Sequence, residues 1–263
     1  MSTLHRFSRT EILIGPDGLE ALKKATVAVF GLGGVGSYAA EALGRAGVGR
    51  LLLVDFDDIC LTNVNRQLHA TDGTVGKAKA EVMAERLRLI NPTAEIIPVK
   101  EFYSAANSEF FFAQGVDYVV DAIDHFTSKL HLIKSCKERG VPIISSMGAA
   151  AKLDPTKIRV ADIAETSKCR MARSMRKLLR KQGVEDGVMV VYSTEEYREQ
   201  EVKDAGCKGN CICPNKDEQQ FSCEHRRVIL GSISFIPSIF GLTMAGVVVN
   251  RLLAGVTKNI SPR

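Results

Sequence analysis

Short runs of aliphatic and β-branched residues alternate with stretches of helical periodicity between residues 26 and 147. Continuous apolar runs such as LLLV are typical of strands covered on both faces, and strands that alternate with helices at this spacing indicate βαβ units. The predicted strands are 26–31, 51–57, 95–99, 116–124 and 142–147, and the predicted helices are 34–46, 77–90, 105–114 and 126–139. The pattern therefore predicts an α/β fold with a Rossmann-like, doubly wound and mainly parallel sheet.

The pattern changes after Asp154 and Pro155. Two segments, KIRVADIAE and GVMVVYSTE, predict strands on either side of a basic helix, and a polar, Cys-rich stretch follows them. We interpret residues 155–263 as a C-terminal αβ extension that continues the sheet begun by residues 1–154, within a single domain of residues 1–263. A separate second domain is the weaker alternative for a chain of this length.

One apolar segment, ILGSISFIPSIFGLTMAGVVVNRLL at residues 229–253, is long enough to cross a bilayer. Gly231, Pro237 and Gly241 interrupt it, so we predict a buried strand followed by a buried helix. The N-terminal stretch MSTLHRFSRTEIL has no apolar run after its basic residues, and we expect neither a secretory signal nor a lipid anchor. The expected location is the cytoplasm, with no membrane association.

The segment VAVFGLGGVGSYAAEALGRAG places a glycine loop between a strand and a helix. Gly31, Gly33 and Gly36 form the pattern G-x-G-x-x-G, in which the missing side chains let the backbone approach phosphate groups. Asp55, at the end of the next predicted strand, is placed to accept hydrogen bonds from ribose hydroxyls. These features predict a nucleotide site, but they do not distinguish NAD from ATP.

The residues that follow Asp55 favour ATP. A cofactor that is only bound needs few cations near its diphosphate, whereas cleavage of a triphosphate develops negative charge that Arg and Lys neutralise. The polar and basic side chains directly downstream are Asp57, Asn63, Asn65, Arg66, Gln67, Lys77 and Lys79. Without this context, Arg66 and Lys79 would be read as a solvated helix face.

Two carboxylates, Asp121 and Asp124, occur near the end of the fourth predicted strand. Ligands of doubly wound sheets bind at the carboxyl ends of strands, and nucleotide-bound Mg²⁺ takes one or two protein carboxylates. Asp124 is therefore the candidate metal ligand, while Asp121 is open to a purely structural role. The five histidines, His5, His69, His125, His131 and His225, show no metal-ligand spacing, and we interpret them as structural or surface residues. His125 merits a test because it follows Asp124.

The segment SKCRMARSMRKLLRKQG carries seven positive charges and no acidic residue, in a chain whose formal net charge is +5. Met171, Met175 and Leu178 are spaced as an apolar stripe that would seat a helix on the protein and expose its basic face. Such a face is typical of phosphate-backbone binding; a solvated helix, or docking to an anionic membrane or protein, are the alternatives. The candidate nucleic-acid-binding residues are Arg170, Arg173, Arg176, Lys177, Arg180 and Lys181.

Four of the seven cysteines, Cys207, Cys211, Cys213 and Cys223, lie together in CKGNCICPNKDEQQFSC. An odd number of cysteines in a cytoplasmic chain does not indicate a disulfide framework. Four thiols can ligate zinc, but C-x3-C-x-C is an uncommon ligand spacing and the chain contains no CxxC pair. We favour free or redox-sensitive thiols over zinc, and a catalytic or regulatory cysteine is the remaining alternative.

Seven segments, RFSRTEILIG, GLGGVGS, LLLVDFD, NVNRQ, VGKAKAE, INP and VVDAID, occur in an order and spacing that resembles the ubiquitin-activating-enzyme-like adenylyltransferases of the ThiF, MoeB and HesA group. The resemblance implies that the glycine loop packs on the phosphates, that Asp55 holds the ribose and that Asp124 binds Mg²⁺. Arg66, Lys79 and Asp124 are the implied catalytic residues. The implied nucleotide-binding residues are Gly31, Gly33, Gly34, Gly36, Asp55, Asp57, Asn63, Arg66 and Lys79.

Arg9, in the segment RFSR, matches an arginine that a partner subunit inserts into the nucleotide site in this group. The resemblance therefore implies an obligate homodimer with Arg9 supplied in trans. Without the resemblance, a disordered basic N-terminus is an equal alternative.

The second half is similar to one branch of the group, the tRNA threonylcarbamoyladenosine dehydratases of the TcdA or CsdL type. SSMGAAAKLDPTKIRVADIAET, the basic helix and VVYSTE extend the similarity over nearly the whole chain, although residues 197–227 depart from it. This branch implies ATP and Mg²⁺ as cofactors, tRNA as substrate, and cyclisation of threonylcarbamoyladenosine through an acyl-adenylate. The similarity leaves open a monovalent cation and a sulfur-transfer partner.

Three rival functions have different sequence requirements. An activator of a ubiquitin-like sulfur carrier would adenylate a C-terminal glycine, and such enzymes usually hold zinc in paired CxxC motifs that are absent here. A scaffold that binds nucleotide without turnover is the second rival. An NAD oxidoreductase is the most distant, because no constellation for hydride transfer is present.

Overall fold

The computed structural model describes residues 4–198 and 230–256. Its helices are α1 (Ser8–Lys24), α2 (Gly36–Ala46), α3 (Lys79–Ile90), α4 (Ser108–Phe112), α5 (Phe126–Arg139), α6 (Arg170–Arg180) and α7 (Phe235–Leu253). Its strands are β1 (Thr26–Phe30), β2 (Arg50–Val54), β3 (Glu95–Val99), β4 (Tyr118–Asp121), β5 (Ile143–Ser146), β6 (Ile158–Asp162) and β7 (Met189–Ser193). Each strand and helix predicted between residues 26 and 147 is present, with shifts at the ends.

The seven strands form one sheet in the order β3-β2-β1-β4-β5-β7-β6. Every neighbouring pair is parallel except β6 with β7, which is antiparallel. The predicted α/β fold is confirmed, including its continuation by the second half, because β7 pairs with β5. The chain reverses its direction of winding between β1 and β4, and a crevice at their carboxyl ends is where such sheets bind ligands.

The sheet is covered on both faces, which explains its continuous apolar strands. Val27 and Val29 of β1 point to a hydrophobic cluster that includes α2, α3 and α7. Ala28 and Phe30 point to the opposite cluster, which includes residues of α5 and α6. All five residues of β1 are buried, and the strand pairs with β2 on one side and β4 on the other, so it lies in the centre of the sheet.

The structure corrects the prediction for residues 229–253. Residues 230–234 do not form a strand, and α7 contains both Pro237 and Gly241. Pro237 lies in the first turn, where a helix tolerates proline. A Cβ at Gly241 would lie 2.2 Å from the Val35 carbonyl oxygen, so this glycine permits close packing of α7 on α2. Among the described residues, α7 is the one helix with the length and mean hydropathy of a membrane span, 19 residues and 1.5, yet Phe240 is fully buried in the core.

The N-terminal helix α1 had no counterpart among the predicted elements. It bends at Gly15, whose φ of 76° is left-handed, and the following Pro16 disfavours helical geometry at that position. This break masks the helical period in the sequence. Arg9 lies in the first half of α1, and its side chain is exposed.

Candidate nucleotide-binding and catalytic site

The three glycines of the loop after β1 have different physical roles. Gly31 has a φ of 83°, and a Cβ there would lie 2.7 Å from the carbonyl oxygen of Ala122. A Cβ at Gly36 would lie 1.7 Å from the carbonyl oxygen of Gly31, so the start of α2 packs directly on the loop. Gly33 is open, since the atom nearest to its Cβ position is Gln67 Nε2 at 3.8 Å. The open face at Gly33, beside the N-terminus of α2, suits a phosphate group.

This difference predicts opposite outcomes for two alanine substitutions. Gly36→Ala is expected to lower the unfolding free energy by about 3 kcal/mol, because its methyl group overlaps backbone atoms. Gly33→Ala is expected to change the unfolding free energy by less than about 1 kcal/mol while weakening ATP binding on the order of tenfold or more. Denaturant unfolding and ATP titration measure the two effects. Normal ATP affinity in Gly33→Ala would show that the phosphates do not contact this face.

Asp55 connects the loops that follow β1 and β2. Its carboxylate is buried and accepts hydrogen bonds from the N–H of Leu32 at 2.5 Å and from the N–H of Asp57 at 2.9 Å. Burial raises the pKa of Asp55, while the positive charge of Lys79 acts in the opposite direction. Asp55 therefore sets the shape of the glycine loop in addition to offering oxygen atoms to a ribose.

Lys79 is buried next to these carboxylates at the start of α3. Its Nζ donates to Asp57 Oδ2 at 2.8 Å, and its backbone N–H donates to the Asp57 carbonyl at 3.1 Å. Only 5% of Lys79 is exposed. The solvated helix face is therefore excluded for Lys79, whose ammonium group lies in the crevice beside Asp55 and Asp57.

Arg66 lies against the glycine loop. A Cβ at Gly34 would be 3.3 Å from Arg66 Cγ, and Arg66 Nη1 donates to the carbonyl of Thr62 and to Asn65 Oδ1 at 2.9 Å each. The nearby Asn63 is buried, and its Oδ1 accepts from the Cys60 N–H at 3.0 Å, which closes the turn before Arg66. The structure thus brings the predicted cations and the glycine loop to the same edge of the sheet.

His69 is a buried neighbour of the site that sequence reasoning treated as structural. It is 3% exposed, and neither ring nitrogen has a hydrogen-bond partner. Burial, together with the charges of Lys79 and Arg86, lowers the pKa of His69 to about 3. His69 is therefore neutral at physiological pH and adds no charge beside Lys79.

The two carboxylates at the end of β4 occupy different environments. Asp121 is fully buried and forms an ion pair with Lys129, so its role is structural, whereas Asp124 is exposed at the carboxyl edge of the sheet. His125 accepts a hydrogen bond from the Ser128 N–H at 3.3 Å and caps α5, a local structural contact. The sequence contained no signal for Lys129, which resembles any other lysine of an amphipathic helix.

Helix α6 is amphipathic as predicted, with a different buried stripe. Ala172, Met175 and Leu179 are fully buried, while Met171 and Leu178 are half-buried. The exposed basic residues are Arg170, Arg173, Lys177, Arg180 and Lys181. These residues, which we call the basic face, lie along one side of α6 and at its C-terminus.

Arg176 differs from the other cations of α6. It is half-buried, and its Nη1 donates to the backbone carbonyls of Ile163 at 3.3 Å and Thr166 at 2.8 Å. Arg170 is exposed, and its guanidinium lies 3.9 Å from the ring centroid of Tyr197. Arg176 therefore stabilises the connection between β6 and α6. Its guanidinium group interacts with backbone carbonyls of the protein and is less available to a ligand than the exposed cations of α6.

The predicted cysteine cluster of Cys207, Cys211, Cys213 and Cys223 lies outside the described residues, as does His225, and the interpretation of these thiols stays a prediction. Within residues 4–198 and 230–256, no group of three or more His, Cys, Asp or Glu side chains is arranged to hold a metal ion.

Comparisons with known proteins identify the family of this chain. The model of the ThiF family matches residues 7–263. The chain belongs to the ThiF family. The tRNA threonylcarbamoyladenosine dehydratase of Bacillus subtilis, to which it is similar, is 49% identical over 253 residues, 95% of each protein. The molybdopterin-synthase adenylyltransferase of Escherichia coli is 39% identical over 151 residues, 57% of this chain and 59% of that relative.

A solved structure extends the similarity of this ThiF family chain to the fold. The Escherichia coli tRNA N6-threonylcarbamoyladenosine dehydratase, TcdA, in complex with AMP superposes with a TM-score of 0.81 at 35% identity, covering 95% of this chain and 94% of that one. The same enzyme in complex with ATP superposes with a TM-score of 0.79. The resemblance found in the sequence motifs is confirmed.

Proposed function

We propose that this protein is an ATP-dependent tRNA threonylcarbamoyladenosine dehydratase. The observation that carries the proposal is the 49% identity to the Bacillus subtilis dehydratase along 95% of both chains, including the basic second half. The adenylyltransferase of molybdopterin synthase matches just over half of this chain. A role in activating a sulfur carrier therefore has support from a match to 57% of this chain, against 95% for the dehydratase.

The site supports adenylation of a carboxylate. The threonyl carboxylate of the modified adenosine attacks the α-phosphate of ATP, and pyrophosphate leaves. The urea nitrogen of the same side chain then attacks the acyl-adenylate, loses its proton and expels AMP, so that a ring forms. Because the second step is intramolecular, the protein needs to orient groups and neutralise charge and does not need its own nucleophile.

Each part of the crevice has a place in this reaction. The open face at Gly33 and the N-terminus of α2 accept the phosphates, and Asp55 lies at the position that binds ribose in dinucleotide folds. Arg66 and the ammonium group of Lys79 neutralise the charge that develops on the α-phosphate and on the leaving pyrophosphate. The assignments of Asp57 and Asn63 as nucleotide-binding residues stay predictions.

The residues at the end of β4 fit a magnesium ion that arrives with ATP. Nucleotide-bound Mg²⁺ keeps several water ligands and takes one or two protein carboxylates. The exposed carboxylate of Asp124 meets that requirement without a larger acidic cluster. Bound Mg²⁺ would neutralise charge on the phosphates, and Asp124 would orient it.

The proposed function also includes an oligomeric state and a cellular location. We propose a cytoplasmic homodimer in which Arg9 of one subunit completes the nucleotide site of the other. The support is that Arg9 is exposed on α1, close in sequence to the exposed apolar residues Ile12 and Leu13. A surface of this kind suits contact with a second subunit.

The basic face of α6 suits the phosphate backbone of tRNA. Its cations are exposed, and Met175 and Leu179 hold the helix on the core. Contacts of this type give affinity and orientation without base specificity, so recognition of the modified nucleoside would come from the crevice.

Neutralising three cations of the basic face is expected to weaken tRNA binding and leave ATP binding unchanged. In the variant Arg173→Gln/Lys177→Gln/Arg180→Gln, the slope of log affinity for tRNA against log salt should flatten by about 2 to 3. Filter binding at several salt concentrations measures this slope. Arg176→Gln is the matched control, expected to lower thermal stability more than tRNA affinity. An unchanged slope in the triple variant would remove α6 from the tRNA interface.

The first test of the proposed function is pyrophosphate release from ATP by the purified protein. We expect release that depends on tRNA carrying threonylcarbamoyladenosine, and a nucleoside product lighter by the mass of one water molecule. If no pyrophosphate is released with this tRNA, but it is released in the presence of a carrier protein ending in Gly-Gly, the result would instead support an activator of a ubiquitin-like protein.

A further inference from the structure

A closed polar triad is buried directly beneath the turn that carries Asp124. Asp121, Lys129 and Ser145 have no exposed surface. Lys129 Nζ donates to Asp121 Oδ2 at 2.7 Å and to Ser145 Oγ at 3.0 Å, and Ser145 Oγ donates to Asp121 Oδ2 at 2.6 Å. The three residues come from α5, β4 and β5, so the triad joins three elements at one point.

The triad fixes the turn from Asp121 to Asp124. The second carboxylate oxygen of Asp121 accepts from the Ile123 N–H at 3.1 Å, and the Ala122 N–H donates to the Phe30 carbonyl at 2.8 Å. The Ala122 carbonyl also faces Gly31, at the start of the glycine loop. The position of the turn relative to the phosphate-binding loop therefore depends on how Asp121 is held.

A buried ion pair is weak evidence for a contribution to stability. Apolar residues of similar size at buried ion-pair positions are often as stabilising as the pair, because removing two charges from water is costly. Burial lowers the pKa of Lys129, and the negative charges of Asp121 and Asp124 act in the opposite direction. Lys129 contacts the turn that carries Asp124 through Asp121, to which its Nζ donates at 2.7 Å.

We propose that Lys129 is a positioning residue for Asp124, which it orients by holding the Asp121 carboxylate and Ser145 beneath the turn. The inference rests on the proposed function only in taking Asp124 as the residue that meets nucleotide-bound Mg²⁺. Lys129 itself is fully buried and acts through Asp121.

The test removes the ion pair while keeping the site neutral and filled. In Asp121→Asn/Lys129→Met, the asparagine can still accept from the Ile123 N–H, and methionine matches the length of lysine. The probe is Mg²⁺ added to protein saturated with the α,β-methylene analogue of ATP, and the readout is the additional thermal stabilisation that Mg²⁺ gives. We expect the apparent Mg²⁺ affinity to fall about tenfold, with affinity for the metal-free analogue unchanged.

A mutant cycle separates positioning from general support of the fold. Asp124→Asn alone is expected to weaken Mg²⁺ about tenfold, and adding it to the double variant should cause little further loss, because both act on one interaction. Lys137→Met, at an exposed lysine on the same helix, is the matched control and should bind Mg²⁺ normally.

Two results would overturn the proposal. One is that the losses of Mg²⁺ affinity caused by Asp124→Asn and by the double variant multiply, as independent effects do. The other is that a destabilised double variant binds Mg²⁺ with normal affinity. If the double variant does not fold, Ser145→Ala takes its place; it removes one hydroxyl and should weaken Mg²⁺ about twofold to threefold, whereas normal affinity would refute the role. Because this readout needs no turnover, it stands even if wild-type protein fails to act on modified tRNA, which would refute the proposed function alone.

Discussion

Replacing Lys79 by alanine is expected to lower the rate of tRNA-dependent pyrophosphate release by about 10²- to 10³-fold, the loss typical of removing one fixed group that stabilises transition-state charge. Lys79 is 5% exposed and its ammonium group lies 2.8 Å from Asp57 Oδ2, so the charge is held in place before substrate binds. In this water-poor crevice a positive charge interacts strongly with a developing phosphate charge. The fall should appear mainly in kcat, measured by steady-state kinetics with saturating ATP and tRNA.

Lys77→Ala provides the matched control for Lys79→Ala. Lys77 lies two residues earlier and is exposed, so its loss should alter the rate by less than about twofold. Thermal unfolding of both variants separates chemistry from stability, since removing Lys79 also removes its ion pair with Asp57. If Lys79→Ala unfolds at a much lower temperature yet turns over normally when folded, its role is structural and the catalytic assignment is wrong.

Replacing Arg9 by alanine tests the proposed homodimer and the nucleotide site together. Arg9→Ala is expected to lose about 10²-fold in rate, because a guanidinium that reaches the phosphates from a partner subunit would be missing from both sites. Mixing Arg9→Ala with Lys79→Ala protein should then restore activity. In a mixed dimer one site combines an intact Lys79 with an intact Arg9, and random exchange predicts recovery of about a quarter of wild-type activity.

Recovery on mixing is a result that action in cis cannot produce. If Arg9 served its own subunit, each site in the mixture would lack one residue, and the activity would equal the average of the two variants. Arg6→Ala controls for general disturbance of the N-terminus, since Arg6 donates to the Ile90 carbonyl at 2.8 Å and is not a predicted site residue. A mixture of Arg6→Ala and Lys79→Ala proteins should have no more activity than the Arg6→Ala protein in it has alone. A monomer in solution would refute the dimer directly.

Several features of the fold and site were predictable because they depend on contacts close in sequence. A glycine loop needs only a strand, a helix and correctly spaced glycines, and Gly31 and Gly36 occupy the positions that the motif requires. The sheet was predictable because buried parallel strands are apolar throughout. The cations after β2 were also predictable from nearby sequence. The segment from Asp55 to Lys79 directly follows β2, the strand next to β1, and so lies at the same crevice.

Predictions were wrong or incomplete where packing between distant residues decides the outcome. The segment before α7 lacks the predicted strand, and the apolar residues that follow it form α7, which packs against α2 and not as a strand of the sheet. The buried side of α6 is set by Ala172 and Leu179 as well as Met175, a stripe rotated from the predicted one. Helical spacing allows either stripe, and packing against α5 and the hydrophobic cluster beneath it selects between them.

The amino-acid sequence by itself determined the α/β fold, the nucleotide loop and the ThiF family, because periodicity, glycine spacing and ordered motifs are properties of the chain. Only the tertiary structure decided which charges are buried. Asp121 and Asp124 are alike in the sequence, yet one is fully buried against Lys129 and the other is exposed. Burial and ion pairing depend on where β4, α5 and β5 meet. Nothing in the sequence pairs Asp121 with Lys129 and Ser145, and only the folded sheet brings these residues into contact.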